Sequence, residues 1–190
     1  MDENLDGYRV TSLRGLIDTH SPEDLDNILS VFSCERDKDV ESFLKHKAIV
    51  QEKKQISRTY LIFNARVRPE LMAYFTVAIS NMDVADLQCD DKIRKKMNIN
   101  RGVAQNYLLG QLGKRDDAEK GLGTFAMAHA LNRIREANLN VGCRVIRVDC
   151  RPSLVRYYKE NGFIFARRNG NDGLCQMVRM LNPQPAETPS

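Results

Sequence analysis

Apolar and polar residues change their period several times along the chain, and each change marks an element. YRVTSLRGLI, residues 8–17, alternates as a strand does, and its charges suit a sheet edge. Ser21, followed by Pro22, Glu23 and Asp24, carries the marks of a helix start: a hydroxyl cap, a proline in the first turn and acids facing the positive end of the helix dipole. A helix to about Phe32 is predicted. From Asp37 onward Val40, Phe43, Leu44, Ala48 and Ile49 recur at helical spacing, while Lys45, Lys47, Glu52, Lys53 and Lys54 fall largely on the other face, giving a second amphipathic helix.

Two apolar runs follow, TYLIFNA at 59–65 and LMAYFTVAI at 71–79. The turn-forming stretch 66–69 between them predicts a hairpin. Residues 81–105 are polar, too poor in apolar side chains for a core of their own, and are expected to form a surface insert. The pattern then becomes strand (106–113), glycine-bearing turn, helix to about Asn138 and strand (145–150), which is a βαβ crossover with parallel flanking strands. A helix from Pro152 to about Asn161 leads through Gly162 to strands at 163–167 and 175–181. The expected architecture is mixed α/β, one domain over residues 1–182. PQPAETPS at 183–190, rich in proline and almost without apolar residues, is expected to be a disordered tail.

Composition agrees with a globular protein: of 190 residues, 42% are hydrophobic and 28% charged, and no uncharged apolar run is long enough to cross a bilayer. The acidic start MDENLDGYRV lacks the basic and apolar stretches of a secretory signal, so a cytoplasmic location is expected. The five cysteines form no CxxC pair and have no histidines at ligand spacing, which argues against a metal site. Cys150 and Cys175 lie in apolar runs as small buried hydrophobes. Three scattered histidines give no support for a nucleophilic triad. A net charge of +4 does not by itself imply nucleic-acid affinity, but Lys92, Arg94, Lys95, Lys96 and Arg101 gather within ten residues, either as a phosphate-contacting patch or as a solvated helix face.

The most informative stretch is GQLGKRDDAEKGLGTFAMAHALNRI, residues 110–134. A strand enters and a helix leaves, and Gly121 and Gly123 let the backbone approach a ligand where helix-terminal amides favour an anion. The spacing fits neither a dinucleotide fingerprint, which would need glycine at Glu119, nor a P-loop, which would need Lys-Ser or Lys-Thr after the second glycine. A diphosphate held by backbone amides fits, as does a plain chain turn.

Downstream, RPSLVRYYKENGFIFARR carries Tyr157 and Tyr158 on a helix closed by Gly162 before Phe163. Together, Gly121-Leu122-Gly123 and the later YYKENGF resemble the GNAT N-acetyltransferases, most specifically over residues 106–167. The resemblance implies a mixed, mostly antiparallel twisted sheet with one parallel βαβ crossover flanked by helices, and acetyl-CoA as co-substrate with no metal. It assigns the CoA diphosphate to amides of Glu119, Lys120, Gly121, Leu122, Gly123 and Thr124, the pantetheine arm to backbone groups at Leu112, Gly113 and Lys114, and the thioester sulfur to the neighbourhood of Tyr158. One departure from the family pattern stands at Ala118, where arginine or glutamine usually opens the loop; Arg115 and Lys120 are the nearby cations. Another is Arg151, where many relatives carry asparagine.

FSCERDKDVESFLKHKA (32–48), followed by SRTYLIF and AYFTVAIS, resembles the toxin-type GNAT subgroup. That likeness implies acetylation of the amino group of aminoacyl-tRNA, with Lys92, Arg94, Lys95, Lys96 and Arg101 as candidate tRNA contacts, a small antitoxin as partner and a homodimer as a common assembly. Chemically, a neutral amine attacks the thioester and Tyr158 protonates the departing thiolate, since an unperturbed phenol with a pKa of about 10 stays protonated at neutral pH. Tyr157, about 100° away around the helix, is the internal control. Glu70, Asp83 and Asp86 flank the strands, but none is marked as a general base. Two other readings remain at this point: acetylation of a small-molecule or protein amine, and a non-catalytic binding module whose CoA site has degenerated.

Overall fold

The computed structural model describes residues 7–182. In chain order the elements are β1 (Tyr8–Ser12), α1 (Leu13–Ile17), α2 (Pro22–Ser30), α3 (Lys38–His46), α4 (Ala48–Lys53), β2 (Arg58–Asn64), β3 (Leu71–Asp83), α5 (Asp91–Arg94), β4 (Ile99–Asn100) and β5 (Val103–Lys114). They continue with α6 (Leu122–Asn140), β6 (Val145–Cys150), a 3-10 turn (Pro152–Leu154), α7 (Val155–Glu160), β7 (Ile164–Arg168) and β8 (Cys175–Met180). The strands are ordered β1-β2-β3-β5-β6-β8-β7, with β4 paired to β5. Neighbours β1–β2, β2–β3, β4–β5, β6–β8 and β7–β8 run antiparallel, whereas β5 and β6, joined through α6, run parallel. This is the mixed, mostly antiparallel α/β sheet with one parallel crossover that the sequence led us to expect. The tail at 183–190 lies outside the described residues.

The chain divides into two compact units. One comprises the described residues up to Ala78 together with Leu109–Ile134; the other comprises Ile79–Leu108 and the described residues from Arg135. The first unit begins with a boundary that alternation alone misplaces. The strand expected to reach residue 17 stops at Ser12, because the Ser12 hydroxyl accepts the Gly15 amide at 3.1 Å and starts α1. Ser21 caps α2 as expected, accepting the Asp24 amide while the Asp24 carboxylate takes the Ser21 amide, and Pro22 opens the helix. The helix expected from Asp37 does begin there, but it breaks at Lys47 into α3 and α4.

Leu13, Leu29, Phe32, Leu44, Ala48, Leu61, Leu71 and Tyr74 close the first core. The Tyr74 hydroxyl, buried with its ring, donates to the Val40 carbonyl at 2.6 Å, so its one polar atom is satisfied. Glu52 departs from the polar face predicted for it. It is fully buried because β2 offers it two donors, the Thr59 amide and the Arg58 guanidinium, each at 2.8 Å.

In the second unit, Met82, Val84, Leu87 and Met97 from the polar stretch 81–105 are buried with Ala104, Val145, Ala166 and Val178. The segment therefore does not form its own core but inserts five apolar side chains, Ala104 among them, into this one, leaving most of its charged residues outside. Cys150 and Cys175 are buried register partners on β6 and β8, as small hydrophobes. Burial pushes the Cys150 thiol up to about 12, which leaves it un-ionised at neutral pH.

Candidate active site

In the first unit, β5 delivers Leu112, Gly113 and Lys114 to the glycine-bearing loop. Gly113 is buried where α3 meets the strand: a Cβ there would lie 2.2 Å from Val40 Cγ1 and 3.2 Å from a Tyr74 ring carbon. Only glycine allows that approach. At Lys114 the strand ends, and its ammonium donates to the carbonyls of Ala118 at 2.9 Å and Glu119 at 3.2 Å.

The turn between is held by side chains at every step. The Asp116 carboxylate accepts the Glu35 amide at 2.6 Å and Arg36 Nε at 3.0 Å, and Arg36 Nη2 reaches the Asp116 carbonyl at 3.1 Å. The Glu35 amide and then the Arg36 guanidinium hold the Asp116 carboxyl below the usual range. Arg115 grips Asp117 through two bonds of 2.9 and 2.6 Å, so its guanidinium is committed to that carboxylate rather than open to an anion.

From Ala118 the loop turns into α6. The Ala118 methyl is buried. Glu119 is exposed and lies near Tyr8; burial and then the Glu119 charge raise the Tyr8 phenol above its ordinary value. Lys120 is exposed. Gly121 takes φ +93°, a conformation costly for any residue with a Cβ, and its carbonyl accepts the Phe125 amide at 3.0 Å to open the helix. Leu122 anchors the first turn, fully buried, with Gly123 half-buried and Thr124 exposed beside it. The amides of Glu119, Lys120 and Gly121 donate to no partner among the described residues, and they stand at the start of a 19-residue helix. Unpaired amides plus a helix dipole make an anion cradle.

Tyr158 and the basic cluster belong to the second unit. Tyr158, only 5% exposed, sits edge-on to Phe163 with centroids 5.6 Å apart. Its carbonyl accepts the Phe163 amide at 3.0 Å, and Gly162 at φ +78° permits the turn that brings this about. Tyr157, the internal control, is itself drawn into the packing. It is half-buried, packs against Tyr158 at 5.1 Å, and burial pushes its phenol up to about 12.

Asp90 caps α5 through the Lys92 amide at 2.8 Å. Lys92, Lys95, Lys96 and Arg101 are exposed and Arg94 half-buried; none of the five is ion-paired among the described residues. Of the carboxylates flanking the strands, Asp83 accepts the Ala85 amide and Glu70 accepts the Asn64 side-chain amide. Asp86 lines a polar cavity of about 400 Å³ with Arg167, Arg168 and Asp172, which the sequence gave no reason to single out. Among the described residues no group of His, Cys, Asp and Glu could hold a metal ion, and no helix is long and apolar enough to cross a membrane.

No protein-family model matches the sequence, and no curated protein matches it. Solved structures do. A tyrosine-to-phenylalanine mutant of KacT superposes with a TM-score of 0.70 at 20% identity, over 90% of this chain and 94% of that one. AtaT complexed with acetyl-methionyl-tRNAfMet gives 0.68 at 23% identity, over 89% and 93%. A mutant AtaT toxin bound to acetyl-CoA and to the C-terminus of the antitoxin AtaR gives 0.67 at 19% identity, over 92% and 94%. The chain thus has the fold that its resemblance to the GNAT acetyltransferases implied, and KacT and AtaT are among the solved structures that share it.

Proposed function

We propose that this protein transfers the acetyl group of acetyl-CoA to the amino group of aminoacyl-tRNA. The observation that carries the reading is the loop at 118–124, where three unpartnered amides meet a helix N-terminus while the carboxylates of Asp116 and Asp117 are taken up by Arg36 and Arg115. Such a site suits a diphosphate that passes between strand and helix without side-chain ligands. A fold shared with AtaT, whose structures hold acetyl-CoA and acetyl-methionyl-tRNAfMet, supports both the donor and the acceptor.

Bound acetyl-CoA supplies an activated acyl thioester. Amides 119–121 and the first turn of α6 take the diphosphate, and the backbone of Leu112, Gly113 and Lys114 orients the pantetheine arm. As the amine's nitrogen bonds the acyl carbon and the carbon–sulfur bond breaks, the phenol of Tyr158 gives its proton to the sulfur and the amine loses one to solvent. Lys92, Arg94, Lys95, Lys96 and Arg101, charged and unpaired, contact tRNA phosphates. A small antitoxin protein is the expected partner, as for AtaT, and a homodimer the expected assembly.

Labelled acetyl-CoA incubated with charged tRNA, uncharged tRNA, polyamines and peptides tests the proposal. Label on charged tRNA alone is expected. Label on a small or peptide amine would redirect the acceptor, and no calorimetric binding of CoA would end the reading.

A further inference from the structure

The Lys114 ammonium bridges two successive carbonyls of the loop, those of Ala118 and Glu119. Every described peptide bond is trans, and in a trans peptide the carbonyl and the following N–H point in opposite directions. Drawing the Ala118 oxygen toward Lys114 therefore aims the Glu119 amide the other way, and drawing the Glu119 oxygen likewise aims the Lys120 amide away. Without a cation there, two like-oriented carbonyl dipoles would repel each other, and the loop would be free to turn its oxygens outward, presenting negative ends to a diphosphate.

From this we infer that the Lys114 side chain is a positioning residue: it sets the anion cradle from behind and takes over the organising role that Ala118 cannot fill. This rests on the reading of the loop as a diphosphate site. Lys114 is half-buried, and both its bonds run to the loop's own backbone. Its charge acts on the ligand through the peptides it orients. Asp116 and Arg36 clamp the other flank of the turn, but no bond of theirs reaches the peptides at 118–120, so removing Lys114 takes the donor from the Ala118 carbonyl and leaves the Glu119 carbonyl only the long bond from the Leu122 amide at 3.4 Å.

The test compares wild type with Lys114→Met. CoA affinity by calorimetry and kcat/KM for acetyl-CoA are each expected to fall at least tenfold. Hydrogen exchange of the CoA-free variant should accelerate over residues 115–121, a response that direct attraction between Lys114 and a phosphate would not produce. Wild-type CoA affinity in Lys114→Met, or unchanged exchange in its free loop, overturns the inference. If the Met variant fails to fold, Lys114→Arg serves: its guanidinium can bridge the same carbonyls, so loop exchange and CoA affinity should stay near wild type, and a tenfold loss of affinity with unchanged loop exchange would contradict the positioning role. Wild-type protein that binds no CoA would instead sink the function proposed above, leaving the two failures distinct.

Discussion

The loop at 115–121 and the basic segment at 92–101 are both short, polar and rich in charge, yet they are secured in opposite ways. In the loop most charges are paired within the protein: Lys114 to two carbonyls, Arg115 to Asp117, and Asp116 to the Glu35 amide and Arg36. The amides of Glu119, Lys120 and Gly121 are left without a partner among the described residues. In the basic segment the backbone is held by the Asp90 cap, the turn bonds of α5, the pairing of β4 with β5 and the buried Met97, and the side-chain charges remain without ion pairs among the described residues. A site built from peptide amides must be rigid before its ligand arrives, because a loosely held amide loses its directionality. One built from lysines and arginines works through long-range attraction and tolerates motion.

Four experiments would break or sharpen that contrast. The largest effect is expected on chemistry rather than on either binding region. Tyr158→Phe should lower kcat by about 100-fold or more, the usual contribution of a general acid, with acetyl-CoA affinity unchanged. Tyr157→Phe makes the control, and an equal loss there would move the proton to the neighbouring phenol, which burial also keeps protonated.

Next comes the flexible side of the comparison. Replacing Lys92, Lys95 and Lys96 together by glutamate should weaken charged-tRNA binding by about tenfold or more and reduce the log–log salt slope by roughly 2, if each meets one phosphate. CoA binding should not respond. An unaltered salt slope would return these residues to an ordinary solvated face.

Gly113→Ala probes the rigid side. With Val40 Cγ1 only 2.2 Å from the new methyl, a loss of about 1–3 kcal/mol is expected in denaturant unfolding. Adding Val40→Ala should restore part of it, and two simply additive losses would mean that the crowding lies elsewhere.

The smallest effect is a pH dependence. Glu41 accepts the Cys34 amide and the Lys45 and Lys38 ammonium groups, which together lower its carboxyl from 4.5 to about 2. A depressed folded pKa means stability that is fully present above 4.5 and is lost as pH falls toward 2. Glu41→Gln should therefore be less stable than wild type at neutral pH, with the gap closing in acid. A gap that stayed constant with pH would remove the charge from the account.

Much of this was legible along the chain. Strand 145–150 was expected and found with the same limits, Ser21 and Asp37 start helices as their side chains dictate, and the glycines at 121 and 162 take the positive φ that their turns require. Misplacements arose where a local signal met a distant partner or a competing cap. Ser12 ended a strand early because its hydroxyl captured an amide three residues on. Glu52 sits in the core because β2 supplies donors that no helical periodicity reveals.

The candidate site shows the same division. Hydrophobic period, caps and glycine placement depend on residues within a few positions of one another, so the sequence by itself determined the main strands and helices, the βαβ crossover and the glycine-bearing loop, while the short α1, α5 and β4 and the break between α3 and α4 escaped it. Which charges in that loop would be neutralised depended on partners far along the chain, 81 positions away in the Glu35–Asp116 bond. Only the tertiary structure decided that Arg115 would be occupied by Asp117, and that the Lys114 ammonium would reach the Ala118 and Glu119 carbonyls. Electrostatic pairing acts through space, and the order of residues leaves it unspecified until the chain has folded.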